Sequence, residues 1–113
     1  IKHWYTKLKK GGVLRLAVPD MEAVCDYYLN TKDLQILSSF FWGGQKYDTD
    51  YHLCGWDFTS IEKTLSAIGF TSVARYDWRT TEHYYVDDYS QAYLPHMDKN
   101  KGALLSLNVE AVK

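Results

Sequence analysis

The chain has 113 residues, of which 46% are hydrophobic, and its 13 Lys and Arg residues nearly balance 14 Asp and Glu residues. This length predicts a single domain over residues 1–113, and the hydrophobic content argues against general disorder. A net charge of -1 argues against a dedicated nucleic-acid binder, which needs a concentrated positive field. No apolar stretch approaches the roughly 20 residues that cross a bilayer. We therefore expect no nucleic-acid or membrane partner.

The two cysteines bear on the cellular compartment. Cys25 and Cys54 fit no metal-binding or redox spacing. Single cysteines are commonly buried as thiols, so both are predicted to be reduced core residues. Nothing in the sequence resembles a signal peptide. These features together predict a cytoplasmic protein.

The first predicted elements are a helix and a strand separated by a glycine pair. Residues 1–8 carry apolar groups at helical spacing, and two lysines and Gly11 end the helix, as cations and glycine commonly do. This segment resembles the last turns of a helix already under way, which predicts a fragment of a longer reading frame. The apolar run 13–18 predicts a strand covered on both faces, as in a parallel sheet. Asp20 is then a suitable N-cap for the next helix.

Two further helices are predicted between this strand and a polar, aromatic loop. Residues 21–29 place apolar side chains on one helical face, and residues 32–41 form a second helix capped by Thr31. The tripeptide 43–45, Gly-Gly-Gln, is interpreted as a turn that ends this helix. The apolar face of the first helix consists of Met21, Val24, Cys25, Tyr28 and Leu29.

The most clearly signalled helix lies at residues 59–69. Thr59-Ser60-Ile61-Glu62 matches a capping box, in which hydroxyl and carboxylate groups bond reciprocal backbone N–H groups. Gly69 is expected to end the helix, with Phe70 packing back on Leu65.

Two strands are predicted after this helix, at about 72–78 and 103–111, separated by a long insertion. Loops of this length are uncommon inside compact domains and are often functional. Alternation in the last strand places four apolar side chains on one face. These side chains are Leu105, Leu107, Val109 and Ala111.

Two segments carry a resemblance to a known family. Residues 8–20 are LKKGGVLRLAVPD, and residues 52–70 combine a histidine-containing loop with a helix that ends in Gly69-Phe70. The first segment resembles the Leu-Lys-Pro-Gly-Gly sequence that enters the fifth strand of class I S-adenosylmethionine-dependent methyltransferases, with Lys10 in place of the usual proline. The second resembles a later stretch of the same family.

The resemblance implies an α/β fold with a partial Rossmann-like methyltransferase sheet and flanking helices. Its strands would be those at about 13–18, 72–78 and 103–111. The family's sheet order makes the last strand antiparallel and places it between the other two. The resemblance also implies a parent protein that transfers a methyl group from S-adenosylmethionine to a small-molecule or saccharide acceptor.

The half of such a fold that holds the cofactor has no counterpart in this sequence. The family binds its cofactor with a glycine-rich turn after the first strand and an acidic residue at the end of the second. No Gly-x-Gly pattern follows a strand here, and the glycine pair at 11–12 precedes one. We therefore predict a methyltransferase-like fragment that is not catalytically autonomous. The cofactor would belong to the parent, and no cofactor-binding residue is assigned in this chain.

Asp20 and His52 are the candidate catalytic residues. In this family a substrate would meet the methyl donor above the carboxyl ends of the parallel strands, and Asp20 directly follows the strand at 13–18. An imidazole can act as a general base near neutral pH, which is the role considered for His52. Each residue also has a structural alternative. Asp20 can serve only as an N-cap, and His52 can bond a backbone carbonyl within a packed loop.

The candidate substrate-binding residues lie in the loop and in the insertion. Aromatic and polar groups of this kind commonly line a substrate pocket, whereas the alternative for the loop is simple packing on the helices. The histidines and acids of both segments match no metal-ligand spacing, so no metal site is predicted. The four candidates are Tyr51, Trp56, His83 and Tyr89.

A second functional hypothesis is a self-associating or partner-binding module with no catalytic role. In the family's sheet, a strand that this chain lacks flanks the strand at 13–18. An apolar strand with unpaired backbone groups favours pairing with another chain. We therefore predict a homo-oligomer, joined either at the edge of Val13–Val18 or through the tyrosine-rich insertion Arg79–Gly102.

Overall fold

The computed structural model describes residues 1–88 and 90–113, which form an α/β fold with a small antiparallel sheet and flanking helices. A short 3-10 turn at Trp78–Thr80 follows the second strand. The elements in chain order are α1 (Lys2–Lys7), β1 (Val13–Pro19), α2 (Met21–Thr31), α3 (Leu34–Trp42), α4 (Phe58–Ile68), β2 (Thr71–Arg75), β3 (Tyr93–Leu94), β4 (Ala103–Leu104) and β5 (Ser106–Val112).

The main sheet has three strands in the order β1-β5-β2. β5 is antiparallel to both neighbours, with Leu16 opposite Val109 on one side and Ala74 opposite Glu110 on the other. β1 and β2 therefore run parallel to each other, and their carboxyl ends lie at the same edge of the sheet. The expected position of the last strand, antiparallel and between the other two, is confirmed.

The prediction that β1 is covered on both faces is wrong. Among the described strands β1 bonds only to β5, and its residues alternate between exposed and half-buried. Val13, Arg15 and Ala17 form the exposed set. The apolar run 13–18 therefore forms a strand with one face on the core and the other face largely exposed.

The main core lies between one face of the sheet and the helices α1 and α4. Leu107 and Val109 of β5 pack against Ile61 and Leu65 of α4, and all four are essentially inaccessible to solvent. Their apolar side chains stabilise the fold by leaving water, at about 25 cal/mol per Å² of buried area. The predicted inward face of the last strand is confirmed. α4 also ends at Gly69 as predicted, and Phe70 joins the same core.

A second, smaller core joins the helices α2 and α3 to the insertion. It consists of Val24, Leu37, Leu94 and Leu105, with partly buried aromatic side chains around it. The expected last strand is divided at Leu105, because β4 turns away to pair with β3 while β5 continues in the main sheet. The insertion is thereby fixed to the sheet at its far end.

The predicted apolar face of α2 is only partly correct. Val24 is fully buried, but Cys25 is exposed and Leu29 is 61% exposed. α2 packs on α3 and the insertion, which covers a narrow stripe that includes Tyr27 and leaves the rest of the helix in solvent. Cys54 is exposed as well, so the prediction of two core cysteines is wrong, although both are free thiols.

Two predicted helix caps are displaced by neighbouring aspartates. The Asp57 carboxylate accepts from the backbone N–H of Ser60 at 2.7 Å, and the Ser60 hydroxyl accepts from the Asp57 N–H at 3.1 Å. This reciprocal pair is the capping box of α4, two residues before the Thr59 box that the sequence predicts. Asp33 likewise replaces Thr31 as the cap of α3, and its carboxylate accepts from the N–H of Ile36. Both aspartates supply a charged acceptor that favours the helix N-terminus.

The strand expected at 72–78 is shorter than predicted. β2 covers Thr71–Arg75 and contains a register shift, and Ser72 has a positive φ of 52°. Trp78 lies in the 3-10 turn, where its indole N–H donates to the Tyr93 hydroxyl at 3.1 Å. Arg79 donates to the same oxygen at 3.0 Å, so the hydroxyl joins the start of the insertion to β3.

No helix in the described part of the chain is long and apolar enough to cross a membrane.

Candidate functional site

Asp20 lies at the shared carboxyl edge of β1 and β2, where it is 4% exposed. One carboxylate oxygen accepts from the backbone N–H of Glu22 at 3.2 Å and caps α2. The other accepts from the Arg75 guanidinium at 2.7 Å. Both oxygens are therefore engaged, and the structural alternative for Asp20, the N-cap, is observed.

Arg75 is the cationic centre of this edge. Its second terminal nitrogen donates to Glu22 at 3.1 Å, and its guanidinium lies 5.3 Å from the centre of the Phe58 ring. The edge opens into a shallow cavity of about 460 Å³, which Asp26 and Ser106 also line. Arg75 already bonds two carboxylates, so this arrangement fixes the ends of β1 and β2. Only the outer rim of the cavity is left for a ligand.

Among the aromatic candidates that the structure describes, Trp56 lies next to Asp20. Its backbone carbonyl accepts from the N–H of Met21 at 2.9 Å, and Asp20 and Trp56 form an isolated parallel bridge. The indole is half-buried against the main core. Trp56 therefore lies beside the carboxyl end of β1, and no described strand pairs with residues 13–18 on that side.

His52 and Tyr51 lie elsewhere, at the end of α3. The Nδ1 atom of His52 is 2.9 Å from the carbonyl oxygen of Phe40, and its backbone N–H donates to Trp42 at 3.2 Å. The structural alternative for His52, a bond to a backbone carbonyl, is thus observed. Tyr51 is exposed. No hydrogen bond or ion pair among the described residues joins His52 to Asp20.

Part of the insertion lies against the second face of the sheet, where it borders a cleft that His83 lines. Arg15 of β1 crosses this face and donates to Glu82 of the insertion at 3.2 Å and to Glu110 of β5 at 3.3 Å. The cleft has a volume of about 170 Å³. Tyr89, the fourth candidate for substrate binding, lies outside the described residues.

Hydrogen bonds and burial shift the pKa values of three groups in and beside this cleft. A hydrogen bond from its own backbone and the guanidinium of Arg15 lower the pKa of Glu82. Hydrogen bonds from Ser90 lower the pKa of Asp88, which also lines the cleft. Burial raises the pKa of Tyr76. At neutral pH the two carboxyl groups are therefore ionised and the Tyr76 phenol is neutral.

Sequence reasoning missed three polar residues that organise these two regions. Arg15 and Arg75 are each a single cation within a predicted strand, and both form ion pairs with carboxylates far along the chain. Asn108 is a buried amide in β5. For the two arginines the signal was present in the pattern, because a lone charged residue in an apolar strand needs a partner.

Within the described ranges, no group of three His, Cys, Asp or Glu side chains is placed to hold a metal ion.

Comparison with known proteins adds no relative: no family description, curated protein or solved structure matches this chain.

Proposed function

We propose that the chain is the C-terminal half of a methyltransferase-like domain and is not catalytically autonomous. Its parent would transfer a methyl group from S-adenosylmethionine to a small-molecule or saccharide acceptor. The observation that carries this proposal is the strand order β1-β5-β2, with an antiparallel last strand between two parallel ones. That order is the one implied by the resemblance of residues 8–20 and 52–70.

The placement of the helices supports the same interpretation. In right-handed crossovers, consecutive parallel strands keep their connecting helices on a common face of the sheet. α1 precedes β1 and α4 precedes β2, and side chains of both helices pack in the same core, with Tyr5 4.9 Å from Phe70 between ring centres. A sheet with α1 and α4 on one face matches one of the two helical layers of a doubly wound fold.

The ends of the parallel strands support a lack of autonomous catalysis. A dinucleotide-type cofactor needs glycines after a strand so that the backbone can approach it closely. β1 is followed by Asp20 and Met21, and β2 by Tyr76 and Asp77. Asp20 and Arg75 occupy each other at this edge. The chain would therefore depend on another segment for cofactor binding.

Calorimetric titration with S-adenosylhomocysteine tests the absence of autonomous binding. We expect no saturable heat from the purified chain, because no glycine-rich turn is present to hold the ligand. Saturable binding, or methyl transfer by this chain alone to any acceptor, would overturn the proposal that it lacks autonomous activity.

A chimaera tests the relationship itself. The first half of a small class I methyltransferase, up to its fourth strand, is joined to this chain before α1. We expect a folded product that binds S-adenosylhomocysteine, because the fourth strand would pair with the open side of β1. The control carries Ala17→Pro, which removes a backbone N–H at that junction. An unfolded chimaera, or equal binding by the control, would contradict the proposed relationship.

The open side of β1 also supports a second candidate, the self-associating module. The backbone N–H of Asp20 donates to the carbonyl oxygen of Leu105. In an antiparallel strand, successive residues alternately bond the partner strand and point away from it. The backbone N–H and C=O groups of Val13, Arg15 and Ala17 therefore point away from β5. β2, at the opposite edge of the sheet, is short and interrupted by a register shift, which discourages pairing. Edge pairing of two copies would therefore use β1.

An apolar groove beside this edge favours the same surface. It has a volume of about 300 Å³ between α1 and β1, with Trp4, Leu8 and Leu14 among its lining residues. Trp4 is 51% exposed. Two copies pairing antiparallel about Leu16 would set each Arg15 opposite Ala17 of the other copy, so no two cations face each other directly.

Sedimentation velocity at micromolar concentration tests self-association. We expect a dimer for the native chain and a monomer for Ala17→Pro, because the lost N–H points outward and the bond ladder with β5 is kept. Ala17→Val is the matched control, since it keeps the N–H and suits a strand, and it should stay dimeric. If Ala17→Pro is also dimeric, the exposed Tyr84 and Tyr85 of the insertion become the surface to mutate.

A further inference from the structure

The cleft beneath the insertion is separate from the carboxyl edge of the sheet. It lies over the middle of the second face, whereas the Asp20–Arg75 cavity lies at the strand ends, and the two share no lining residue. Its volume of about 170 Å³ is comparable to cavities of roughly 150 Å³ that hold a six-membered ring. The cleft can therefore accept a single small ring.

Asn108 is a buried residue directly behind the residues that line this cleft. It is directly opposite Ala17 on β1, and its carbonyl accepts from the N–H of Tyr76, which follows β2. Both of these neighbours line the cleft. Asn108 is 4% exposed, and neither its amide nitrogen nor its amide oxygen has a hydrogen-bond partner among the described residues. A buried amide is normally paired, so this one calls for a specific explanation.

The charges around the cleft restrict what the amide can bind. Arg15 is matched by Glu82 and Glu110. Asp88 and Trp78 also line the cleft, and the cationic groups of Arg79 and Lys99 lie 4.8 and 5.0 Å from the Trp78 ring centre. Because Arg15 already bonds two carboxylates, it has little capacity left to bind an anion. Cations are disfavoured in turn, because Arg15 stands in the wall and its guanidinium covers the Tyr76 ring at 5.5 Å.

A neutral hydroxyl-rich ring satisfies these conditions. A hydroxyl group donates and accepts, which matches the two functions of an amide. The C–H surface of such a ring can pack on the apolar lining that Ala17 and Val86 provide. We propose that the cleft binds a neutral, hydroxyl-rich ring of monosaccharide size, with the Asn108 amide bonded to one of its hydroxyl groups.

The proposal requires a movement in the insertion. Both amide atoms of Asn108 are shielded from solvent, so a ligand reaches them only after a lining side chain shifts. The insertion residues His83 and Gln91 form part of the wall of the cleft. Binding should therefore perturb these residues together with Asn108, whereas the Asp20–Arg75 edge should be unaffected. Ligand binding in the cleft can therefore be tested independently of the proposed methyltransferase relationship.

Nuclear magnetic resonance of the ¹⁵N-labelled chain tests the inference. The probes are myo-inositol and methyl α-D-glucopyranoside, with inorganic phosphate and tetramethylammonium as charged comparisons. We expect a saturable shift of the Asn108 side-chain amide pair with at least one neutral ring and none with either ion. No saturable shift with the neutral rings would overturn the proposal. A saturable response to an ion instead would overturn the assigned ligand class.

Substitutions then test the role of the amide. Asn108→Leu has a similar shape and should bind the ring about tenfold more weakly or worse, as expected for loss of one hydrogen-bonding group. The matched control is Asn100→Leu, at an exposed asparagine of the insertion, which should bind as the native chain does. If Asn108→Leu does not fold, Ala17→Leu narrows the cleft from the neighbouring strand and should abolish binding. Native affinity in the folded variant would overturn the proposal.

Discussion

The Arg75 guanidinium donates to the buried carboxylate of Asp20 at 2.7 Å and thereby ties the carboxyl end of β2 to that of β1. The two strands are not adjacent, because β5 lies between them. The ion pair thus crosses the sheet at the carboxyl ends of these strands, and the other carboxylate oxygen of Asp20 caps α2. One side chain consequently holds a helix and two strands.

Replacement of Asp20 should be costly. Asp20→Ala removes the helix cap and leaves Arg75 without its shortest bond, so we expect a loss of about 2 kcal/mol in the free energy of unfolding. Glu22→Ala removes the exposed partner of the same guanidinium and should cost under about 1 kcal/mol. Urea denaturation of both variants measures the difference. Equal losses would show that burial and capping by Asp20 contribute little.

Asn108→Leu should raise stability in the absence of any ligand. An amide buried without partners carries the cost of lost hydration, and an apolar side chain of similar shape does not. We expect a gain of about 1 kcal/mol, seen as a higher midpoint in thermal unfolding. Asn108→Asp is the contrasting variant, since it places a charge at the same buried position and should destabilise. A less stable Asn108→Leu would indicate that the amide is satisfied in solution.

The cap of α4 should make stability sensitive to acid. Hydrogen bonds from the side chain and backbone of Ser60 hold the pKa of Asp57 below its ordinary value. A carboxyl group of this kind stabilises the fold above its unfolded pKa, near about 3.9, and this contribution is lost as the pH falls through the folded pKa. The urea midpoint of the native chain should therefore decrease below about pH 4.

Asp57→Asn separates this effect from other carboxyl groups. Asparagine caps a helix without ionising, so the urea midpoint of the variant should decrease less over the same acid range. The comparison is needed because the pKa values of Glu82 and Asp88 are lowered as well. Parallel acid profiles for the two proteins would exclude Asp57 as a source of the sensitivity.

Gly43 should resist substitution more strongly than Gly11. Both have positive φ angles, of 81° and 77°. A Cβ atom on Gly43 would lie 2.9 Å from the Cα of Tyr51 and would also collide with the backbone carbonyl of Asp50, whereas on Gly11 it would meet open space. Gly11→Ala should therefore cost only the backbone strain of about 1 kcal/mol. Gly43→Ala should cost distinctly more, measured by urea denaturation, and equal losses would show that the loop can move aside.

Local patterns predicted the elements of this fold well, and long-range contacts explain the differences. The helices and the central strand follow from periodicity, because that signal depends on neighbouring residues alone. The caps shifted to Asp33 and Asp57 since a charged acceptor two residues away competes with a hydroxyl group. The exposure of Leu29 and Cys25 depends on how α2 packs on α3, which is a tertiary property that the helical pattern does not contain.

The candidate site was less predictable for the same reason. Asp20 was identified from its position after a strand, and Trp56 lies beside it. His52 and Tyr51 share the aromatic loop in sequence, but the turn at Gly43 directs them to the end of α3. Arg75 comes to Asp20 from 55 residues away, a pairing that depends on the final sheet. Spacing along the chain carries no information about such a contact.

The central position of β5 also has a consequence for synthesis on the ribosome. Every other described element precedes β5 in the chain, yet β1 and β2 pair with nothing in the main sheet except β5. Translation proceeds at about 5–20 residues per second, so both strands wait with unpaired backbone for the interval in which the insertion and β5 are made. During that interval the nascent chain exposes strand edges whose unpaired N–H and C=O groups can bond to other chains. A chaperone that binds extended apolar segments would therefore find β1 accessible for seconds before the sheet closes.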